Sequence, residues 1–173
     1  KSAGDRWPGF RGVGTSHTAA VDLPTTWGQE QNVAWTVTLP GHGQSSPVVF
    51  GDRVFVTSIE GPNKERCQVA CYRLEDGYLL WSRGFSAGTE IKNSKMTSRG
   101  APTPVVDDAR VYAFFESGDL FAFDHDGETA WTRSFVEAMG GGYKGGHGFG
   151  SSLVAVDGGV VLSLDHNGPS FVT

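Results

Sequence analysis

This chain has little cysteine, little positive charge and no long apolar run, and each shortage excludes something. No apolar stretch approaches the roughly 18 residues of a membrane span, and Lys1-Ser2-Ala3-Gly4-Asp5 has no hydrophobic signal core. The reading is therefore an intracellular protein or one whose signal has been removed. Lysine and arginine total 14 against 19 aspartates and glutamates, a net charge of −5 over 173 residues, with no basic run. A nucleic-acid surface needs a basic patch, so nucleic acid is not an expected partner. The two cysteines, Cys67 and Cys71, lie in a segment that alternates like a strand. Strand residues four apart sit about 13 Å apart, beyond the roughly 7 Å a disulfide spans, so two unpaired thiols are expected.

Glycine is abundant, at 25 residues without a Gly-X-Y period. It marks turns rather than a collagen-like helix. Those turns punctuate an internal repeat. Pro47-Val48-Val49-Phe50-Gly51-Asp52-Arg53-Val54 aligns with Pro104-Val105-Val106-Asp107-Asp108-Ala109-Arg110-Val111. Both align with Leu153-Val154-Ala155-Val156-Asp157-Gly158-Gly159-Val160. Tryptophans recur at Trp35, Trp81 and Trp131, the last two closing Gly-x-x-x-Trp patterns from Gly77 and Gly127.

Each unit reads as four short strands. In the second, Pro104–Val106 is followed by a turn at Asp107-Asp108, then Arg110–Phe115, a turn at Glu116–Asp119, and Leu120–Phe123. Asp126-Gly127 is a strong hairpin signal, and the strand after it carries Trp131. β-Branched and aromatic residues dominate, and helical period appears only in a short turn at Val136–Met139. Four antiparallel strands with a period near 50 define a propeller blade. The fold class is thus all-β, a β-propeller of which about three blades are represented. Each tryptophan on an outer strand should pack against the neighbouring blade.

Within a single partial propeller domain over 1–173, residues 1–32 read as an N-terminal extension and 33–39 as a ring-closing outer strand. Residues 45–85 and 101–135 read as blades, and 151–173 as an incomplete blade that stops inside its third strand. Propellers close with about four to eight blades. The expectation is an N-terminal part of a longer polypeptide, or a chain completed by another.

Trp7-Pro8-Gly9-Phe10-Arg11-Gly12, Leu23-Pro24-Thr25-Thr26-Trp27, and the run from Gly43-Gln44-Ser45-Ser46-Pro47 through Ser58 resemble the bacterial propellers with PQQ-like (quinoprotein-like) repeats. The family signature Ala-x-Asp-x-x-Thr-Gly-x-x-x-Trp is eroded: Cys71, Arg73 and Asp76 stand at the Ala, Asp and Thr places. In the second unit Ala122 and Asp124 are kept and the turn is one residue shorter. The resemblance implies one of two functional classes. One is the non-catalytic propellers, including the lipoprotein that helps assemble outer-membrane barrels, with a protein partner or the rest of the propeller and no cofactor. The other is the alcohol or sugar dehydrogenases that use pyrroloquinoline quinone with calcium; their adjacent cysteine pair has no counterpart here. A structural subunit of a larger assembly is a third reading. Family resemblance and a first residue other than Met imply a secreted or periplasmic location. The reading favoured is a non-catalytic binding scaffold.

The repeats place His42, Arg99 and His147 just before the innermost strands, where superposed blades would ring one mouth of the central channel. Histidine can serve as ligand, acid or base and arginine can hold carboxylates, so these three are the candidate ligand-binding residues. Gly140–Gly150 reads as a mobile inter-blade loop over the propeller face, because a strand rather than a helix follows its G-x-G-x-x-G. Asp124-His125-Asp126-Gly127 and Asp165-His166-Asn167-Gly168 read as hairpin turns, lacking the further ligands of a calcium loop. No catalytic residue and no metal ligand is assigned.

Overall fold

The computed structural model describes residues 6–15, 17, 21–91 and 100–173. Its strands are β1 (Arg6–Trp7), β2 (Val48–Phe50), β3 (Arg53–Glu60), β4 (Arg66–Arg73) and β5 (Leu79–Ser86), then β6 (Val105–Val106), β7 (Val111–Phe114), β8 (Asp119–Phe123) and β9 (Thr129–Ser134). The last four are β10 (Val154–Val156), β11 (Gly159–Val161), β12 (Ser163–Leu164) and β13 (Phe171–Val172).

Strands β2 to β5 form an antiparallel meander, and β6 to β9 form another in the same order. The third unit is shorter. Strands β10 and β11 pair, as do β12 and β13, and Leu162 and Thr173 exchange backbone hydrogen bonds of 2.9 and 3.0 Å. Strands β11 and β12 therefore act as one strand interrupted at Leu162, with β13 as the third strand of the blade. The described residues form three successive blades of an open, partial propeller.

The same turn chemistry opens each blade. A two-residue turn connects the first two strands at Gly51-Asp52, Asp108-Ala109 and Asp157-Gly158, closed by the pairs Phe50–Arg53, Asp107–Arg110 and Val156–Gly159. In the second blade Asp107 Oδ1 accepts the N–H groups of Ala109 and Arg110 at 2.8 and 2.7 Å. The eroded signature also keeps its geometry: β4–β5 and β8–β9 slip register at equivalent places, Cys71/Tyr72 and Ala122/Phe123. Such a bulge bends and twists the strand.

Packing explains the unbroken apolar runs. Odd-numbered residues of the second blade (Val111, Ala113, Phe121, Phe123) face the first blade's Val48, Phe55, Val69 and Cys71 in one core cluster. Its even-numbered residues Tyr112, Phe114, Leu120 and Ala122 join Leu153, Leu162 and Leu164 of the third blade in another. A sheet buried on both faces needs no polar alternation.

The tryptophans join blades. Trp81 on β5 donates its indole N–H to the carbonyl of His125 at 2.9 Å, and a Cβ on Gly127 would lie 2.6 Å from its ring. Trp35 repeats this one blade earlier, with its indole N–H 2.8 Å from the Leu74 carbonyl and its ring against Gly77. Residues 33–39, expected as an outer strand, carry no strand pairing. An outer strand exists only beside a third strand, and among the described residues none flanks this segment. Its tryptophan nevertheless occupies the seat of the repeat.

The short turn at Val136–Met139 is present: Met139 N–H reaches Phe135 O at 2.9 Å and Gly141 N–H reaches Val136 O at 2.9 Å. Among the described residues no helix is long and apolar enough to cross a membrane.

Candidate functional site

His42 is exposed and held by its backbone, which exchanges hydrogen bonds of 2.8 and 2.7 Å with Ile59. His147 is exposed in the glycine-rich loop. Among the described residues no hydrogen bond, ion pair or ring contact joins the two histidines. Arg99 lies outside the described residues. The loop around His147 is anchored rather than loose. The Asn167 N–H donates to the Lys144 carbonyl at 2.7 Å, Tyr143 stacks on His166 with ring centroids 5.9 Å apart, and the Tyr143 hydroxyl donates to Gly148 O at 2.8 Å.

What the repeat does bring together, two residues before each innermost strand, is a row of hydroxyls. Ser46 N–H donates to Thr103 Oγ1 at 3.1 Å, and Thr103 N–H donates to Ser152 Oγ at 3.1 Å. Each blade thus hands a backbone proton to the hydroxyl of the next. Thr103 is 2% exposed, so its ladder contact replaces water that cannot reach it. Beside this row, a cavity of about 380 Å³ is lined by Phe10, Gln44, Ser46, Thr103, Ser151 and Ser152, among others.

Phe10 reaches that cavity because the N-terminal segment crosses the innermost strands. Strand β1 pairs antiparallel with β2, Arg6 opposite Phe50 and Trp7 opposite Val49. The carbonyl of Pro8 then accepts the Val106 N–H at 2.9 Å, and Gly9 packs on Val105. Arg6 fastens the crossing, its guanidinium 4.5 Å from the Phe50 ring centroid and 2.7 Å from Asp108. A second cleft of about 240 Å³ lies between residues 8–10 and 12–14 on one side and Val105, Leu153, Val154 and Ala155 on the other. In sequence, residues 1–32 read only as an extension. A two-residue strand followed by proline has no periodicity, and its partner lies more than forty residues away.

Two further features concern the blade interfaces. Lys64, before β4, and Glu116, in the turn after β7, form an ion pair with both side chains 3% exposed. Trp131 is 37% exposed where Trp81 is 8% exposed. Beside Trp131 lies a groove of about 410 Å³ walled by Leu120, Thr132, Arg133, Phe135, Val160, Leu162 and Thr173.

Neither thiol suits nucleophilic or redox work. Burial pushes both Cys67 and Cys71 up to about 12, so both stay protonated at neutral pH. They are unpaired and buried, as their strand spacing requires. For a quinone with calcium, the donor set decides the fit. Among the described residues no group of three His, Cys, Asp or Glu side chains could hold a metal ion. The acidic turns instead use their carboxylates on their own backbone: Asp124 Oδ1 accepts the N–H groups of Asp126 and Glu128 at 3.0 and 2.9 Å.

Comparison with known proteins gives the following. Among curated protein sequences, none matches the chain. Solved structures similar to it include BamB from Moraxella catarrhalis, 17% identical, with 80% of this chain and 34% of that one covered and a TM-score of 0.48. The quinohemoprotein alcohol dehydrogenase ADHIIG from Pseudomonas putida HK5 is 19% identical, with 75% and 18% covered and a TM-score of 0.48. The quinohemoprotein alcohol dehydrogenase from Comamonas testosteroni is 16% identical, with 73% and 18% covered and a TM-score of 0.49. The chain spans about a third of the first and under a fifth of the other two. The family described as outer membrane protein assembly factor BamB matches residues 26–169, and the chain belongs to that family of PQQ-like repeat propellers.

Proposed function

We propose that this protein is a non-catalytic propeller that acts as a binding scaffold for protein, in a secreted or periplasmic setting. The observation that carries this reading is the extended N-terminal segment seated across the inner strands, where Trp7 pairs with Val49 and the Pro8 carbonyl accepts the Val106 N–H at 2.9 Å, a mode by which strand edges take up extended peptide. Family membership supports the scaffold over the enzyme. So do the protonated thiols and the acidic turns satisfied by their own backbone.

His42 and His147, with Arg99 between them in sequence, remain candidates for ligand contact at the channel mouth, each acting from its own blade. The reading is tested by adding pyrroloquinoline quinone and calcium to the full chain and following dye-linked oxidation of alcohols and sugars. The scaffold gives no oxidation above the quinone-only control. Sustained turnover that requires the protein, quinone and calcium together would overturn it.

A further inference from the structure

Position by position, Val49, Val106 and Ala155 are the same residue of three blades, each immediately before the residue that closes the first hairpin. Antiparallel pairs alternate between bonded and non-bonded. The closing pairs Phe50–Arg53, Asp107–Arg110 and Val156–Gly159 are bonded, so Val49, Val106 and Ala155 turn their N–H and C=O away from the second strand, toward the channel. In the first blade that edge is met by Trp7, and in the second the Val106 N–H is met by Pro8 O. In the third, no described residue meets the exposed Ala155, although residues 10–14 pass beside it across the 240 Å³ cleft.

We infer that the channel-facing edge of β10 is a docking site for an extended, uncharged peptide segment of a partner protein, which pairs at Ala155 as Trp7 pairs at Val49. This deepens the scaffold reading and rests on it. The occupant's chemistry follows from the walls. Two cavities meet at Phe10, Leu153 and Val154, and no described residue lining either is charged. A charged side chain would enter them without a counter-ion, which is costly. An extended backbone matches the edge donor and acceptor, and one apolar side chain lies between Phe10 and Val154. At the other end, the hydroxyls of Thr103 and Ser152 already accept backbone N–H groups. Their remaining protons suit a carbonyl. The protein's own N-terminal segment, already seated on two of the three equivalent edges, demonstrates the mode of recognition.

The test uses the full chain and an uncharged, fluorescein-labelled peptide with the sequence of residues 6–14 in which Arg6 and Arg11 are replaced by alanine, followed by fluorescence anisotropy and by amide hydrogen exchange. The expected result is saturable binding with new protection at residues 154–156. Ala155→Pro removes the edge donor but no bond to β11, since proline is tolerated where its nitrogen faces away from the ladder. It should weaken binding about tenfold. A peptide N-methylated at the tryptophan should lose a similar amount on the unaltered protein, which covers the case in which the variant fails to fold. Absence of saturable binding overturns the inference. So does protection confined to another edge, or affinity indifferent to both changes. Protection of 154–156 without peptide in a sample of dimer mass assigns the edge to a second copy and likewise overturns it. None of these outcomes touches the scaffold reading, which fails instead through binding of, or turnover with, quinone and calcium.

Discussion

The indole of Trp81 lies on Gly127 of the next blade, and its N–H reaches the carbonyl of His125 at 2.9 Å. Arg53 closes the same junction, donating to that carbonyl and pairing with Asp126 at 2.8 Å. Gly127 has φ of 86° and no room for a methyl group. Gly127→Ala should therefore destabilise the fold by ~2–4 kcal/mol, combining left-handed strain with overpacking. Urea unfolding measures it. A loss below about 0.5 kcal/mol would mean that the seat does not join the blades.

The buried pair between Lys64 and Glu116 bridges the first two blades at one end of the sheets. Glu116→Gln removes the negative member of this buried pair and should cost about 3–5 kcal/mol. Because the two side chains come from different blades, the unfolding midpoint should fall for both blades together in hydrogen exchange.

Thr103 holds the hydroxyl ladder at its middle. Thr103→Val keeps the shape but deprives the Ser46 N–H of its acceptor, for about 1–3 kcal/mol. Thr103→Ser keeps the oxygen and should recover most of that loss. Equal losses in both variants would show that the methyl contact, not the hydrogen bond, matters.

The thiols set a pH dependence. Burial raises Cys67 and Cys71 from 9.0 to about 12. The folded state therefore holds protons that the unfolded state releases above pH 9. Stability from this source is complete below pH 9 and is lost as pH rises toward 12. A thiol reagent at pH 8 should label neither cysteine in the native chain and both after denaturation. Fast native labelling would contradict their burial.

Much of the fold was legible because it is repetitive. The strand pairs of the first two blades follow from alternating β-branched and aromatic runs, and from turn residues at Gly51-Asp52 and Asp126-Gly127. The tryptophan contacts follow from the spacing of Trp35, Trp81 and Trp131. Less was legible where contacts are single and distant. Nothing in Arg6-Trp7-Pro8 announces a strand on Val49, since two residues and a proline carry no period. Nothing local in Gly61-Pro62-Asn63-Lys64-Glu65 announces the buried ion pair of Lys64 with the neighbouring blade's Glu116. Position in the repeat suggested His42, Arg99 and His147, but side-chain direction is not encoded by repeat position. The hydroxyls of Ser46, Thr103 and Ser152 had the same repeat spacing as the strand starts, and that spacing was the signal that could have found them.

The central claim is a scaffold without a quinone centre. Native mass spectrometry of the full chain after incubation with pyrroloquinoline quinone and calcium tests it most directly. The account predicts no mass increment for the quinone, with or without calcium. A stoichiometric adduct of one quinone and one calcium, lost on chelation, would contradict it.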